Sequence, residues 1–395
     1  MGTPAKGTQA PGAPITQQQL AALLERRARA LQAGDVRRYA ATAIGAQRAE
    51  DRRDARNARG LPLRAVRLRP TRIELHGPTA LMRVQSGYAI AGIRGRFEAD
   101  RTIRAVRTAR GWRVRSQTSR RQRHPWEVAP FAAHRTAHFV VLAPTALATD
   151  GLDEALEAGY ELMGQKLASG VLRRRYLVVV AGDDGQARQM TAGIRGVATL
   201  AAISDAAVQE EGPAERVARV ASQRLLVVWP AFAPLDLDGR RRVVAHELTH
   251  AALAGQTSGR TPSWLVEGIA LYVSGDRRVG EAARLVAGAA GGAARRALTL
   301  TGLSGPNAIA RLGGDEQTAA YAYASAAAFY IAARYGRPRL LRLYDAFNHE
   351  DLVGPPGAEL AARAVRRALG IPFAQLERNL RRWIVTRAVV SPEAP

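Results

Sequence analysis

The sequence predicts an α+β chain: helices first, then a curved antiparallel sheet, then an α/β segment leading into an all-helical half. Three observations predict it. Apolar residues recur at helical spacing near the start. From about residue 62 to 114 they alternate with polar ones. Three unbroken apolar runs then precede an alanine-rich remainder. At 395 residues the chain can bury two or three cores, and with no cysteine it has neither disulfides nor a thiolate metal site.

Residues 1–14 are mostly Pro, Gly, Ala and Thr and are expected to form a flexible tail. A helix is predicted from Ile15, with Thr16 and Gln19 as a capping box and Ile15 and Leu20 as a hydrophobic staple. Its apolar stripe is Leu20, Leu23, Leu24, Ala28 and Leu31, ending at Gly34-Asp35, and a second helix follows from Val36. Strands are predicted at Val66–Leu68, Thr71–Leu75 and Leu81–Val84, with a turn at His76-Gly77-Pro78. A closing hairpin, Thr102–Val106 with Trp112–Val114, turns at Arg110-Gly111. These elements form a first domain over 15–118, and residues 119–133 are read as a linker.

The second domain is expected over 134–390, divided into an α/β half (134–260) and a helical half (261–390). Its apolar runs are His138–Leu142, Tyr176–Val180 and Leu225–Trp229, with a helix at about Leu152–Leu167. Asp183-Asp184-Gly185 is read as a turn, Gln209–Gly212 as a solvated loop and Gly288–Gly292 as a break between helices.

Chemistry concentrates in His246-Glu247-Leu248-Thr249-His250 and in Glu267, seventeen residues further on. Histidines four apart on a helix lie one turn apart on the same face and can converge on one ion. Zinc accepts imidazole and carboxylate, and a catalytic site keeps three protein ligands and an open position. His246, His250 and Glu267 are therefore the candidate ligands for Zn2+. Glu247, beside the first ligand, suits a general base toward a zinc-activated water. Asp238 is the expected cap of this helix, Val243, Val244, Leu248 and Ala251 its buried side, and Gly255 or Gly259 its stop. A helix from about Ser263, after Pro262, carries Glu267 and is anchored by Trp264, Leu265, Ile269 and Leu271. His134 and His138, also four apart, precede a strand and would need a helix to converge.

His246–His250 followed by Pro262–Tyr272 (Pro-Ser-Trp-Leu-Val-Glu-Gly-Ile-Ala-Leu-Tyr) resembles the gluzincin metallopeptidases, and within them the bacterial peptidase MA-like families. Tyr321–Gly336 is similar to the family's helix after the glutamate, and Ala368–Trp383 to its closing helices. The resemblance implies one zinc and hydrolysis of peptide bonds in a peptide or protein substrate. It also implies a sheet edge that pairs with the substrate, for which Val197–Ser204 or Leu225–Trp229 are the candidates. Tyr321 is the first candidate to stabilise the oxyanion and Tyr323 the second. The chain departs from the thermolysin-like pattern at Leu271, where an acid that orients the histidines is expected; Asp276 is the nearest acid downstream. Residues 15–118 are similar to the nuclear-transport-factor-2-like cone fold, through the opening helix to Ala33-Gly34-Asp35, Leu61-Pro62-Leu63 and the final Arg110–Val114 strand. That implies an accessory or interaction role. The rival reading of the whole chain is a peptidase-like binding or scaffold protein with little or no turnover.

The formal charge is +24, carried almost entirely by arginine, since Lys6 and Lys166 are the two lysines. The charge is spread along the chain and reads first as a solvated surface, with an anionic polymer or membrane surface met through the basic face as the alternative. No nucleic-acid-binding motif is present. No apolar stretch has the length of a membrane span and the start has no apolar signal core, so the expectation is a soluble chain, with an exported or envelope-associated protein as the alternative.

Overall fold

A computed structural model describes residues 13–119, 122–191, 197, 200–211, 216–288, 298–349 and 351–390. Most of the proposed tail (1–14) and of the Gly288–Gly292 break lies outside these residues. Contacts divide the chain into two compact units: residues 1–149, 177–201 and 226–232, and residues 150–176, 202–225 and 233–395.

The first unit opens with helix α1 (Ala13–Gln32), followed by α2 (Val36–Ala41) and α3 (Gly45–Ala58). α1 begins before Thr16, so the expected capping box lies inside the helix; burial of the apolar stripe, rather than that cap, is what its position satisfies. Leu20, Leu23 and Leu24 are fully buried, with Ala28 and Leu31 nearly so. Asp35 caps α2, its carboxylate accepting from the Arg38 amide at 2.9 Å. Four antiparallel strands follow in sequence order: β1 (Leu63–His76), β2 (Thr79–Ile90), β3 (Phe97–Thr108) and β4 (Gly111–Ser119). The two short strands expected before Gly77 are one long strand, β1, whose register is broken twice, between Arg64 and Arg67 and between Pro70 and Arg72. The hairpin turn at Arg110-Gly111 is as expected, Thr108 pairing with Gly111 and Gly111 taking φ +86°. Met82, Val84, Ile103, Ala105, Trp112 and Val114 meet the α1 leucines in one core.

A fully buried ion pair lies in this unit. The Arg27 guanidinium forks onto both oxygens of Asp51 at 2.5 and 3.0 Å, donates to Thr42 Oγ1 at 2.7 Å, and lies 4.4 Å from the Tyr39 ring centre. Residues 122–133, read as linker, are ordered. They hold a 3-10 turn at Pro125–Glu127 and the start of β5 (Phe131–Arg135), with His124 and Trp126 buried.

A mixed five-stranded sheet has the order β5-β6-β7-β9-β8, with β6 (Phe139–Pro144), β7 (Tyr176–Ala181), β8 (Ala202–Glu211) and β9 (Arg216–Val228). β6 and β7 are buried at every residue, as their unbroken apolar runs require. Gln209–Glu211 belong to the exposed end of β8 rather than to a loop. Asp183 is the N-cap of α5 (Asp184–Met190), which puts a helix where a plain turn was expected. A short α6 (Trp229–Phe232) follows β9.

In the second unit α4 (Leu152–Gly164) packs on α7 (Leu237–Leu253), α7 on α8 (Ser263–Ser274), and α8 on α10 (Gly314–Tyr335). Among the described residues the further α-helices are α9 (Val279–Gly288), α11 (Arg337–Asp345), α12 (Ala358–Leu369) and α13 (Phe373–Val390). No described helix is long and apolar enough to cross a membrane.

Candidate metal centre

α7 places its two histidines as their spacing demands. Its cap is Asp236, whose carboxylate accepts from the Gly239 amide at 2.7 Å, not Asp238, which pairs with Arg241 and Arg242. The helix therefore begins two residues earlier than the Asp238 cap would set it, and it ends at Leu253, before Gly255. Val244, Leu248 and Ala251 are buried, while Val243 is half-buried. α8 starts at Ser263 after Pro262, and Trp264, Leu265, Ile269 and Leu271 anchor it in the core.

These two helices bring His246, His250 and Glu267 together. The two Nε2 atoms are 3.1 Å apart, and Glu267 Oε2 lies 3.4 Å from His246 Nε2 and 3.5 Å from His250 Nε2. Bonds of about 2.0–2.1 Å at tetrahedral angles set ligand atoms about 3.3–3.4 Å apart. The three separations bracket that spacing, so the donor set fits one small divalent ion. Among the described residues these three form the group of His, Asp and Glu side chains able to hold a metal. His134 (on β5) and His138 are not part of such a group. The three side chains are 18, 20 and 20% exposed, so the centre is sheltered but still accessible to solvent.

The charges are strongly coupled. Burial alone would raise Glu267, but His250 and His246 outweigh it and hold this carboxyl well below the usual range. Burial likewise would lower His250, yet the Glu267 carboxylate pushes it up to about 9. Glu247 is raised, first by burial and then by Glu267, against the pull of both histidines and of the Ser204 amide. That amide donates to Glu247 Oε2 at 2.6 Å. Ser204 lies on β8, an edge strand, whereas Leu225–Val228 lie in the interior strand β9 and are fully buried. Of the two segments named for the sheet edge, only Val197–Ser204 thus reaches it.

α10 separates the two tyrosines. Tyr321 is half-buried; its hydroxyl is held above the usual range by burial and next by Glu267 and Glu247, with Arg278 opposing. Tyr323 is fully buried, and Arg381 sits 6.0 Å from its ring centre. Asp276 pairs with Arg278 at 2.7 Å, which engages the acid nearest downstream of Glu267.

Three contributors were not singled out from sequence. Gly159 of α4 lets α7 approach so closely that a Cβ there would lie 2.5 Å from Val244 Cγ1. Gly268, beside Glu267, does the same for α10: a Cβ would lie 2.6 Å from the Ala324 carbonyl oxygen. Lys166 donates to the Tyr272 carbonyl at 2.6 Å near the end of α8, a favourable place for a cation. A glycine inside an apolar helix pattern is the signal that marks such close approaches.

No protein-family model matches the chain, and no curated protein matches it. Among solved structures, a function-unknown protein from Mycobacterium tuberculosis (Rv3472, in a variant form) matches at 19% identity and a TM-score of 0.24, over 29% of this chain and 79% of that one.

Proposed function

We propose that the chain is a zinc metallopeptidase of the gluzincin type that cleaves peptide bonds within peptide or protein substrates. The observation that carries this reading is the convergence of His246, His250 and Glu267 at tetrahedral-ligand spacing, with the Glu247 carboxylate beside them. His246, His250 and Glu267 would hold the ion. When bound, zinc supplies Lewis acidity toward a water and the scissile carbonyl.

Glu247 accepts a proton from the attacking water and returns it to the leaving nitrogen as the C–N bond breaks and the new C–O bond forms. Burial favours its protonated form, and the Ser204 N–H fixes its orientation. Tyr321, kept neutral, donates to the oxygen that gains charge. Residues 15–118 read as a nuclear-transport-factor-2-like accessory domain, supported by a long helix on a bulged four-stranded antiparallel sheet.

Cleavage of a diverse peptide mixture by zinc-loaded protein, read by mass spectrometry beside Glu247→Gln, tests the reading. Products from the wild type alone support it. No products from either protein, with zinc bound, favours the rival reading of a peptidase-like binding protein, which draws on the engagement of Asp276 by Arg278.

A further inference from the structure

We infer that a cleft in the first unit, formed by α1, the start of α2 and the β3–β4 turn, binds a chain of linked phosphates. The cleft encloses about 790 Å³, and five of its eleven lining residues are arginines: Arg26, Arg29, Arg38, Arg110 and Arg113. Asp35 is the one acid lining it.

The arginines are brought together by the fold. Arg26 and Arg29 lie three apart on α1, and the small residues Ala30 and Ala33 beside them keep the floor low. Arg110 lies on the β3–β4 turn beside Gly111, and Arg113 stands two residues into β4 at the same end of the sheet. Two of the five have partners of their own: Arg38 Nε lies 3.3 Å from Asp35 in an exposed ion pair, and Arg113 donates to the Trp112 carbonyl at 2.9 Å. Arg29 has a distant exposed partner, Glu25, at 3.7 Å. Among the described residues, Arg26 and Arg110 have no carboxylate within ion-pair distance.

Guanidinium stays charged at any physiological pH, so five in one concavity repel one another until an anion neutralises them. Its planar fork matches phosphate oxygens two at a time. The volume is that of a small-ligand site, and the number of forks exceeds what a single phosphate can engage. Several linked phosphates meet both conditions, as a short free oligophosphate or as a stretch of a longer polymer.

The test is calorimetric titration of the full chain with tripolyphosphate. It compares the wild type with Arg26→Gln/Arg29→Gln/Arg110→Gln and with a charge-matched control on α3, Arg48→Gln/Arg52→Gln/Arg56→Gln. All six side chains are exposed, so both variants keep the fold. Saturable binding to the wild type is expected, weakened roughly 30-fold or more in the cleft variant and less than about threefold in the control. The single variant Arg110→Gln, on a turn, should lose roughly three- to tenfold. Long-chain polyphosphate serves as a second ligand: tighter arginine-dependent binding than tripolyphosphate marks a polymer as the source, and equal affinity a short ligand. Equal weakening in both triple variants, or no weakening in either, overturns the proposal.

Discussion

Gly268→Ala probes the contact that sets Glu267 against α7 and α10. A Cβ at this position lies 2.6 Å from the Ala324 carbonyl oxygen and 3.3 Å from both the Ala324 carbonyl carbon and the Ala328 Cβ. Ordinary contact begins near 3.4 Å, so α8 and α10 must part by about 0.8 Å. The obstacle is backbone and cannot rotate away, which puts the cost toward the top of the ~1–3 kcal/mol range for overpacking. Removing a helix glycine returns about 1 kcal/mol. The net expectation is a loss of about 1–2 kcal/mol, or a urea midpoint lower by roughly 0.3–0.6 M at unchanged slope. Because Glu267 precedes Gly268 on the same helix, zinc affinity, measured by competition with a chromophoric chelator, should fall roughly tenfold or more. Gly170→Ala, where nothing lies within 4 Å, is the control and should change neither quantity. A Gly268→Ala protein as stable as the wild type, with unchanged zinc binding, would refute the close packing from which these magnitudes follow.

Other perturbations separate roles that look alike in the sequence. Tyr321→Phe should reduce kcat about 10²–10³-fold with folding intact, as loss of one oxyanion donor does, while Tyr323→Phe should leave kcat within about threefold; equal effects on kcat would remove Tyr321 from the mechanism. Arg27→Met strands the buried Asp51 and should cost about 3–5 kcal/mol in chemical denaturation, much of it regained in Arg27→Met/Asp51→Leu; additive losses would mean the two residues do not act as a pair. Asp54 is pushed up to about 6, by burial first, against its hydrogen bonds from Arg53. Its folded-state value lies above the ordinary 3.8, so the folded protein binds more protons between about pH 4 and 6. The contribution of Asp54 to stability is therefore present below pH 4, lost as pH rises to 6, and worth up to about 3 kcal/mol. Melts of Asp54→Asn across that window should lack this decline, and an unchanged pH profile would assign it elsewhere.

Local rules account for what was legible in the chain. The α1 stripe, the start of α2 at Val36, the turns at Gly77 and Gly111, the buried strands β6 and β7 and the start of α8 all depend on neighbours a few residues away. Choices between two locally adequate residues were less legible. Asp236 and Asp238 both suit a helix cap, and Asp238 loses because its carboxylate meets Arg241 and Arg242. The capping box at Thr16 satisfies local chemistry, yet α1 starts before it.

By itself the sequence determined that His246 and His250 share one helix face, because a spacing of four is a turn of an α-helix. It likewise determined that Glu267 sits on the following helix. Only the tertiary structure decided that the Glu267 carboxylate comes within 3.5 Å of both imidazoles, since that distance depends on how α8 packs against α7. It also set Tyr321 apart from Tyr323: residues two apart point to nearly opposite sides of a helix, and packing leaves Tyr321 half-buried within the electrostatic reach of Glu267 and Glu247 while Tyr323 is fully buried. The arginine cleft belongs to the same class. Its residues run from Arg26 to Arg113, and only the fold of α1 against the sheet makes them neighbours.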